Sequence, residues 1–202
     1  MLDHATQPIK VSAYAHMLDE DLVLLLQKGN HEAFAEIVGR YVRPTRLLAQ
    51  RTLNSAADAE DVVQSVLIKL WQNPHSWQPN KASLGTWLYK VTLNACYDVS
   101  RSCVRRNTLE QDLDPPTDEA DSYVLVNRAE QDGLRKQLLQ RGMKSLSASQ
   151  RDAINLAVFV GLPQKQVAEV LGVSVKAVES LLVRAKAKLK NFVENEKAGE
   201  IL

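Results

Sequence analysis

Lys176, Ala177, Glu179, Ser180, Val183 and Arg184 fall on one side of a stretch whose opposite side is apolar, and Lys186, Lys188 and Lys190 prolong it as a basic stripe. Ammonium and guanidinium groups meet phosphates, while hydroxyl, carboxylate and guanidinium groups read base edges in a major groove. The chemistry on offer is therefore recognition of duplex nucleic acid. Bond-making chemistry finds little footing. There is no glycine-rich phosphate loop and no His–Glu metal pattern, and the four histidines (His4, His16, His31, His75) are scattered. The adjacent carboxylates Glu60 and Asp61 sit near a helix start, where the dipole already accounts for them. We read a binding protein, not an enzyme, with no catalytic residue, metal ligand or cofactor site.

Two short helices across a tight turn would position that face. Residues 164–181 supply Ala168 where the helices must touch, Gly172 where the backbone turns left-handed, and Ser174 to cap the second helix. Val167, Leu171, Val173, Val178 and Leu181 form the expected apolar seam. This is a helix-turn-helix, whose second helix presents its N-terminal part to the major groove. Upstream, Ser147 and Gln150 make a capping-box pair for a helix to about Val160, and Gly161-Leu162-Pro163 is a turn.

A second set of candidates lies in the first half of the chain. On a helix from Ala56 to Gln72, Val63, Val66, Leu67 and Leu70 share one face. Asp61, Gln64, Ser65 and Ile68 share the opposite one, an isoleucine among polar groups that suits protein docking. Ser83 can cap a helix to about Val104 that turns Leu84, Leu88, Val91, Ala95 and Val99 inward. Its other face carries Thr86, Lys90, Asn94, Tyr97 and Arg101. Cations, an amide and an aromatic together suit nucleic acid with unpaired bases. Trp77, in the loop before that helix, adds a possible stacking surface.

The rest of the chain reads as an all-α protein of two small helical domains. Few glycines and aromatics argue against a β sandwich, and helical periodicity dominates. Asp19 can cap a first helix ending at Gly29-Asn30. Pro44 should kink or break the second, which carries Ala33, Phe34, Ile37, Val38 and Tyr41. Ser55 and Asp58 resemble a capping box. Residues 107–122 hold six acidic side chains and no basic one, with Pro115-Pro116 among them, as a solvated linker would. The expected division is an N-terminal extension (1–18), a first domain (19–106), an acidic flexible linker (107–121) and a second domain (122–202). Cys96 and Cys103, about 10 Å apart on one helix at its 1.5 Å rise, cannot bridge. With no signal peptide and no apolar run long enough to span a bilayer, a cytoplasmic protein without membrane insertion is expected.

The segment Asp58-Ala59-Glu60-Asp61-Val62-Val63-Gln64, with Lys69-Leu70-Trp71 and Thr86-Trp87-Leu88-Tyr89-Lys90, resembles region 2 of the extracytoplasmic-function sigma factors. From Leu146-Ser147 to Leu189 the chain resembles their region 4. There Gly161-Leu162, Val167-Ala168, Leu171-Gly172-Val173-Ser174 and Arg184-Ala185-Lys186 match. Together the two segments cover most of residues 19–193 in the family's order and spacing.

The resemblance implies a factor that directs core RNA polymerase to promoter DNA, needs no small-molecule substrate, and is held inactive by an anti-sigma factor until a signal releases it. The face of Asp61, Gln64, Ser65 and Ile68 would bind the polymerase clamp helices. Lys90, Asn94, Tyr97 and Arg101 would face the −10 element, and the loop of Trp77 would hold a flipped base. Lys176, Ala177, Glu179, Ser180, Val183, Arg184, Lys186 and Lys188 would face the −35 element. Ser65, Leu67, Asp98 and Glu179 depart from residues common in the family. Alternative readings are a stand-alone helix-turn-helix regulator, which leaves the Asp61 face unexplained, and a helical adaptor that binds only proteins.

Overall fold

A computed structural model describes residues 13–109 and 129–199, and all regular structure among them is helical. The first region contains α1 (Asp19–Gln27), α2 (His31–Leu53), α3 (Ala56–Gln72), a short 3₁₀ turn (Pro74–Ser76) and α4 (Leu84–Leu109). The second contains α5 (Ala129–Ser145), α6 (Ala148–Ile154), a π-helical turn (Asn155–Val160), α7 (Gln164–Leu171) and α8 (Val175–Gly199). Most of the expected linker, and the expected start of the second domain at Ser122, lie outside the described residues.

Local chemistry sets most helix ends. Asn30 caps α2 through the Ala33 N–H at 2.9 Å, and Ser83 caps α4 through the Thr86 N–H at 3.2 Å. Ser147 and Gln150 form both halves of their capping box, at 3.4 and 3.1 Å. Ser55 accepts from the Asp58 N–H at 3.2 Å, which supplies the forward half of the expected box.

Four expectations are corrected. Asp19 does not cap α1; Leu18 occupies that position, and the Asp19 carboxylate instead accepts from Arg40 at 2.9 Å and from the Tyr41 hydroxyl. Arg40 also donates to the carbonyls of Met17, Tyr14 and Ala15, so part of the expected N-terminal extension is tied to α2. Pro44 does not break α2, which continues to Leu53. An interior proline costs about 3 kcal/mol, and packing of α1, α3 and α4 along this helix offsets it. Finally, α4 passes Val104. The helical run from Ser147 does reach Val160 as expected, widening into a π-helical turn after Ile154.

α2 is the spine of the first region. Leu22, Ile37, Val63, Val66, Leu70, Leu84 and Leu88 are buried around it, each worth about 1.5–3 kcal/mol on removal from water. At Gly85 an added Cβ would stand 2.9 Å from the Tyr41 ring, so only glycine lets α4 approach α2 this closely. The second core gathers Met143, Leu146, Ile154, Leu156, Val167, Val170, Val178, Leu182 and Ala185. It also takes in Leu48 of α2 and Tyr89 and Leu93 of α4. The two regions thus pack on each other, through α2 against the π-helical turn and α4 against α7.

Candidate nucleic-acid interface and docking face

Gly172 ends α7 with φ +67°, a conformation that glycine adopts without Cβ strain. The Ser174 hydroxyl then accepts from the Ala177 N–H at 3.2 Å, which starts α8. The turn holds α7 and α8 together over Val167, Ala168, Val178, Leu182 and Ala185. Val173, expected in this seam, is 41% exposed. It lies in the turn itself, where the chain runs outside both helices, and Leu182 and Ala185 complete the seam instead.

The outward side of α8 is assembled as its spacing requires. Lys176, Glu179, Ser180, Val183, Arg184, Lys186 and Lys188 are exposed, and Ala177 is half-buried. Glu179, Ser180, Val183 and Arg184 line one shallow groove. Ser180 Oγ donates to the Lys176 carbonyl at 3.0 Å, and Arg184 Nε donates to the Ser180 carbonyl at 3.1 Å. These bonds hold the Arg184 stem along the helix. The site offers one carboxylate among cations, an arrangement that can accept from an exocyclic amine as well as meet phosphate.

On α3, Asp61, Gln64, Ser65 and Ile68 are all exposed, while Val62, Val63, Val66 and Leu70 are buried. Ile68 keeps 44% of its surface in water. The four side chains form one polar face with an apolar centre.

On α4, Lys90, Asn94 and Arg101 are exposed, but three neighbours behave otherwise than expected. Thr86 is buried, its hydroxyl 2.8 Å from that of Ser83 within the cap. Trp77 is only 4% exposed and packs into the first core, with Nε1 donating to the Ala82 carbonyl at 2.9 Å. A large indole whose single donor is satisfied gains more from burial than from solvent, so here it braces the loop and presents no open stacking face. Tyr97 is half-buried, and its hydroxyl donates to Asp152 Oδ2 on α6.

Electrostatics around these groups follow from burial. Burial first, then the Asp152 hydrogen bond, raises the Tyr97 phenol above its ordinary range. Asp152 is itself raised, chiefly by burial, with its Tyr97 bond and Arg151 opposing. Burial pushes the Cys96 thiol up to about 12, with the Asp152 carboxylate adding to it. Asp98 pairs with Arg101 at 3.1 Å on the exposed side of α4, where Ser100, Ser102 and Arg105 line the same shallow groove. Among the described residues no cluster of His, Cys, Asp and Glu could hold a metal ion, and no helix is long and apolar enough to cross a membrane.

Asp152 was not singled out from sequence. Its one signal is position, since an acid immediately before the run Ala153–Val160, otherwise apolar except for Asn155, must enter the core with it.

Comparison with known proteins finds matches for both helical regions. Residues 37–106 match the family model "Sigma-70 region 2", and residues 136–189 match "Sigma-70, region 4". The chain is 29% identical to the RNA polymerase sigma factor NccH of Alcaligenes xylosoxydans xylosoxydans, over 88% of this chain and 96% of that one. It is 28% identical to the ECF RNA polymerase sigma-E factor of Escherichia coli K12, over 88% and 95%. It is also similar to CnrH of Cupriavidus metallidurans, at 29% identity over 87% and 95%. A solved structure of CnrH in complex with the cytosolic domain of CnrY superposes with a TM-score of 0.66 at 26% identity, covering 88% of this chain and 97% of that one. With regions 2 and 4 both matched, in order, and with a helix-turn-helix where region 4 requires it, the chain belongs to the extracytoplasmic-function RNA polymerase sigma factors and serves transcription initiation, not catalysis.

Proposed function

We propose that this factor docks on core RNA polymerase through Asp61, Gln64, Ser65 and Ile68, and reads promoters with two separate faces. Lys90, Asn94, Tyr97 and Arg101 of α4 face the −10 element. Lys176, Ala177, Glu179, Ser180, Val183 and Arg184 of α8 face the −35 element, with Lys186 and Lys188 on phosphate. The observation that carries this reading is the α8 face, where a Ser174 cap and Gly172 turn present Glu179, Ser180 and Arg184 together in solvent. The buried Trp77 shapes the loop from within, and the base pocket is assigned to the exposed surface of that loop.

The domain division follows the same reading, with residues 19–106 engaging polymerase and the −10 element, 107–121 as linker and 122–202 engaging the −35 element. The protein works in the cytoplasm, where polymerase and promoters are. An anti-sigma factor holds it until a signal arrives, a reading supported by the family and by the capture of CnrH with the cytosolic domain of CnrY. Reconstituting the full chain with core polymerase on a library of promoters randomised at −35 and −10, and sequencing the transcripts, tests the proposal. Initiation dependent on this chain and on both elements is expected, whereas transcripts indifferent to either element would overturn the assignment of that face.

A further inference from the structure

The four side chains that line the shallow groove on α8 divide by chemistry and by turn. Glu179 and Ser180 stand on one turn, Val183 and Arg184 on the next. Their existing hydrogen bonds decide what each has left to offer. The Ser180 hydroxyl gives its proton to the Lys176 carbonyl at 3.0 Å, so toward a ligand it can only accept. Glu179 is exposed, and none of the ion pairs among the described residues involves it. An ionised carboxylate also only accepts. The first turn is therefore an acceptor turn. On the second, Arg184 Nε is committed to the Ser180 carbonyl at 3.1 Å, which leaves the two terminal nitrogens to donate. Val183 is 68% exposed and offers an isopropyl group alone.

Each base shows the major groove a different edge. Cytosine presents an amino donor with no acceptor beside it, whereas adenine sets its amino donor next to the N7 acceptor. Guanine and thymine turn carbonyl acceptors outward. An acceptor turn therefore pairs best with cytosine, is opposed in part by adenine N7, and is repelled by guanine and thymine. Phosphate sharpens the demand, because a carboxylate brought to the duplex weakens binding unless an amine donor meets it. Val183 has no polar atom, so the major-groove feature that suits it is the thymine methyl group. Four residues of helix span about 6 Å, and stacked base pairs lie about 3.4 Å apart. The two turns thus reach base pairs no more than about two steps apart.

We propose that the −35 element of this factor contains a cytosine read by Glu179, with Ser180 as a second acceptor, and within two base pairs of it a thymine whose methyl group packs on Val183. The proposal rests on the functional reading above and gives the α8 face a stated base preference. Arg184, with its two terminal nitrogens, serves guanine or phosphate and is the source of neither preference.

The test is transcription by holoenzyme reconstituted with the full chain, on promoters randomised at −35 and read by sequencing, for wild type, Glu179→Gln and Val183→Ala. Both side chains are exposed, so circular dichroism is unchanged in either variant. Wild type favours a C:G pair at one position by about tenfold. Glu179→Gln, in which an amide donor replaces one acceptor oxygen, shifts that position toward adenine. On the preferred promoter, deoxyuridine in place of the thymine removes only the methyl group. Initiation by the wild type then falls about fourfold, while Val183→Ala, which has already lost the contact, falls by less than half as much. A Glu179→Gln profile identical to wild type, or a responding position that favours any pair but C:G, overturns the Glu179 assignment. A deoxyuridine effect that is absent from the wild type, or equal in Val183→Ala, overturns the Val183 assignment. Transcripts that depend on this chain yet ignore the −35 region altogether contradict the functional reading of α8, and this proposal with it; the flat profile of the wild type itself identifies that case.

Discussion

The Tyr97 hydroxyl donates to the carboxylate of Asp152, joining α4 to α6 across 55 positions of sequence. A phenol assigned to promoter DNA is thereby held by an acid of the other region. The same acid is buried enough to resist ionisation, so the contact should respond to pH.

Closure of region 4 over region 2 should strengthen as the medium becomes acidic. The charged or titratable groups acting on Asp152 are Tyr97 and Cys96 on α4 and Arg151 on its own helix. Its carboxyl is raised in the closed chain, whereas an open chain returns it toward an ordinary value of about 3.9. The closed state therefore binds the proton more tightly, and its stability relative to the open state rises as pH falls from the raised value toward about 4. With a donor dye at position 28 and an acceptor at position 194, both exposed, energy transfer within the full chain should increase over that window. Asp152→Asn should flatten the response, and an unchanged slope in that variant would remove Asp152 as its source.

Asp98 masks a cation. Its ion pair with Arg101 at 3.1 Å is exposed at both ends, so it adds little stability, but it lowers the positive potential of the α4 face. Asp98→Asn should raise affinity for single-stranded DNA severalfold at low salt. The slope of log affinity against log salt should steepen by about one. Equal slopes for the two proteins would show that Arg101 does not reach phosphate.

Glu179 and Lys188 should differ in kind. Lys188→Ala should weaken holoenzyme binding similarly on all promoters and lower the salt slope by about one. Glu179→Lys should change the preferred base at one −35 position, by about 1–3 kcal/mol. Sequencing of transcripts from a randomised −35 library distinguishes them, and a base profile unchanged by Glu179→Lys would mean that Glu179 faces away from the groove.

The two thiols should separate under alkylation. Cys96 is fully buried and its thiol is pushed up to about 12, while Cys103 is only half-buried. At pH 8 the native chain should take one label quickly, at Cys103, and a second only in denaturant. Mass spectrometry of the labelled peptides reads this directly; rapid labelling of Cys96 would contradict its burial.

How far the sequence reaches depends on the range of the interactions. The helix-turn-helix was legible because its determinants lie within a few residues of one another: Ala168 at the crossing, Gly172 at the turn and Ser174 at the cap. The exposed faces of α3 and α8 followed from the helical period alone. Pro44 misled because propensity is local, whereas α2 is held by three other helices. Trp77 and Thr86 could be placed on a loop or a face, but their burial depends on the packing of Ala82 and Ser83 around them. The closure of region 4 over Tyr97 and Leu48 was invisible, since no periodicity links position 97 to position 152.

The central claim is that the chain is a polymerase subunit whose α3 face makes the docking contact. Its most direct test is the equilibrium affinity of the full-length protein for core RNA polymerase, wild type against Asp61→Lys and against Asp61→Lys with Gln64→Ala. Both side chains are exposed, so circular dichroism should show unchanged helicity. We expect tight binding by the wild type, a loss of at least tenfold in Asp61→Lys, about 1.4 kcal/mol, and a larger loss in the double variant. Wild-type affinity in the double variant would contradict the account.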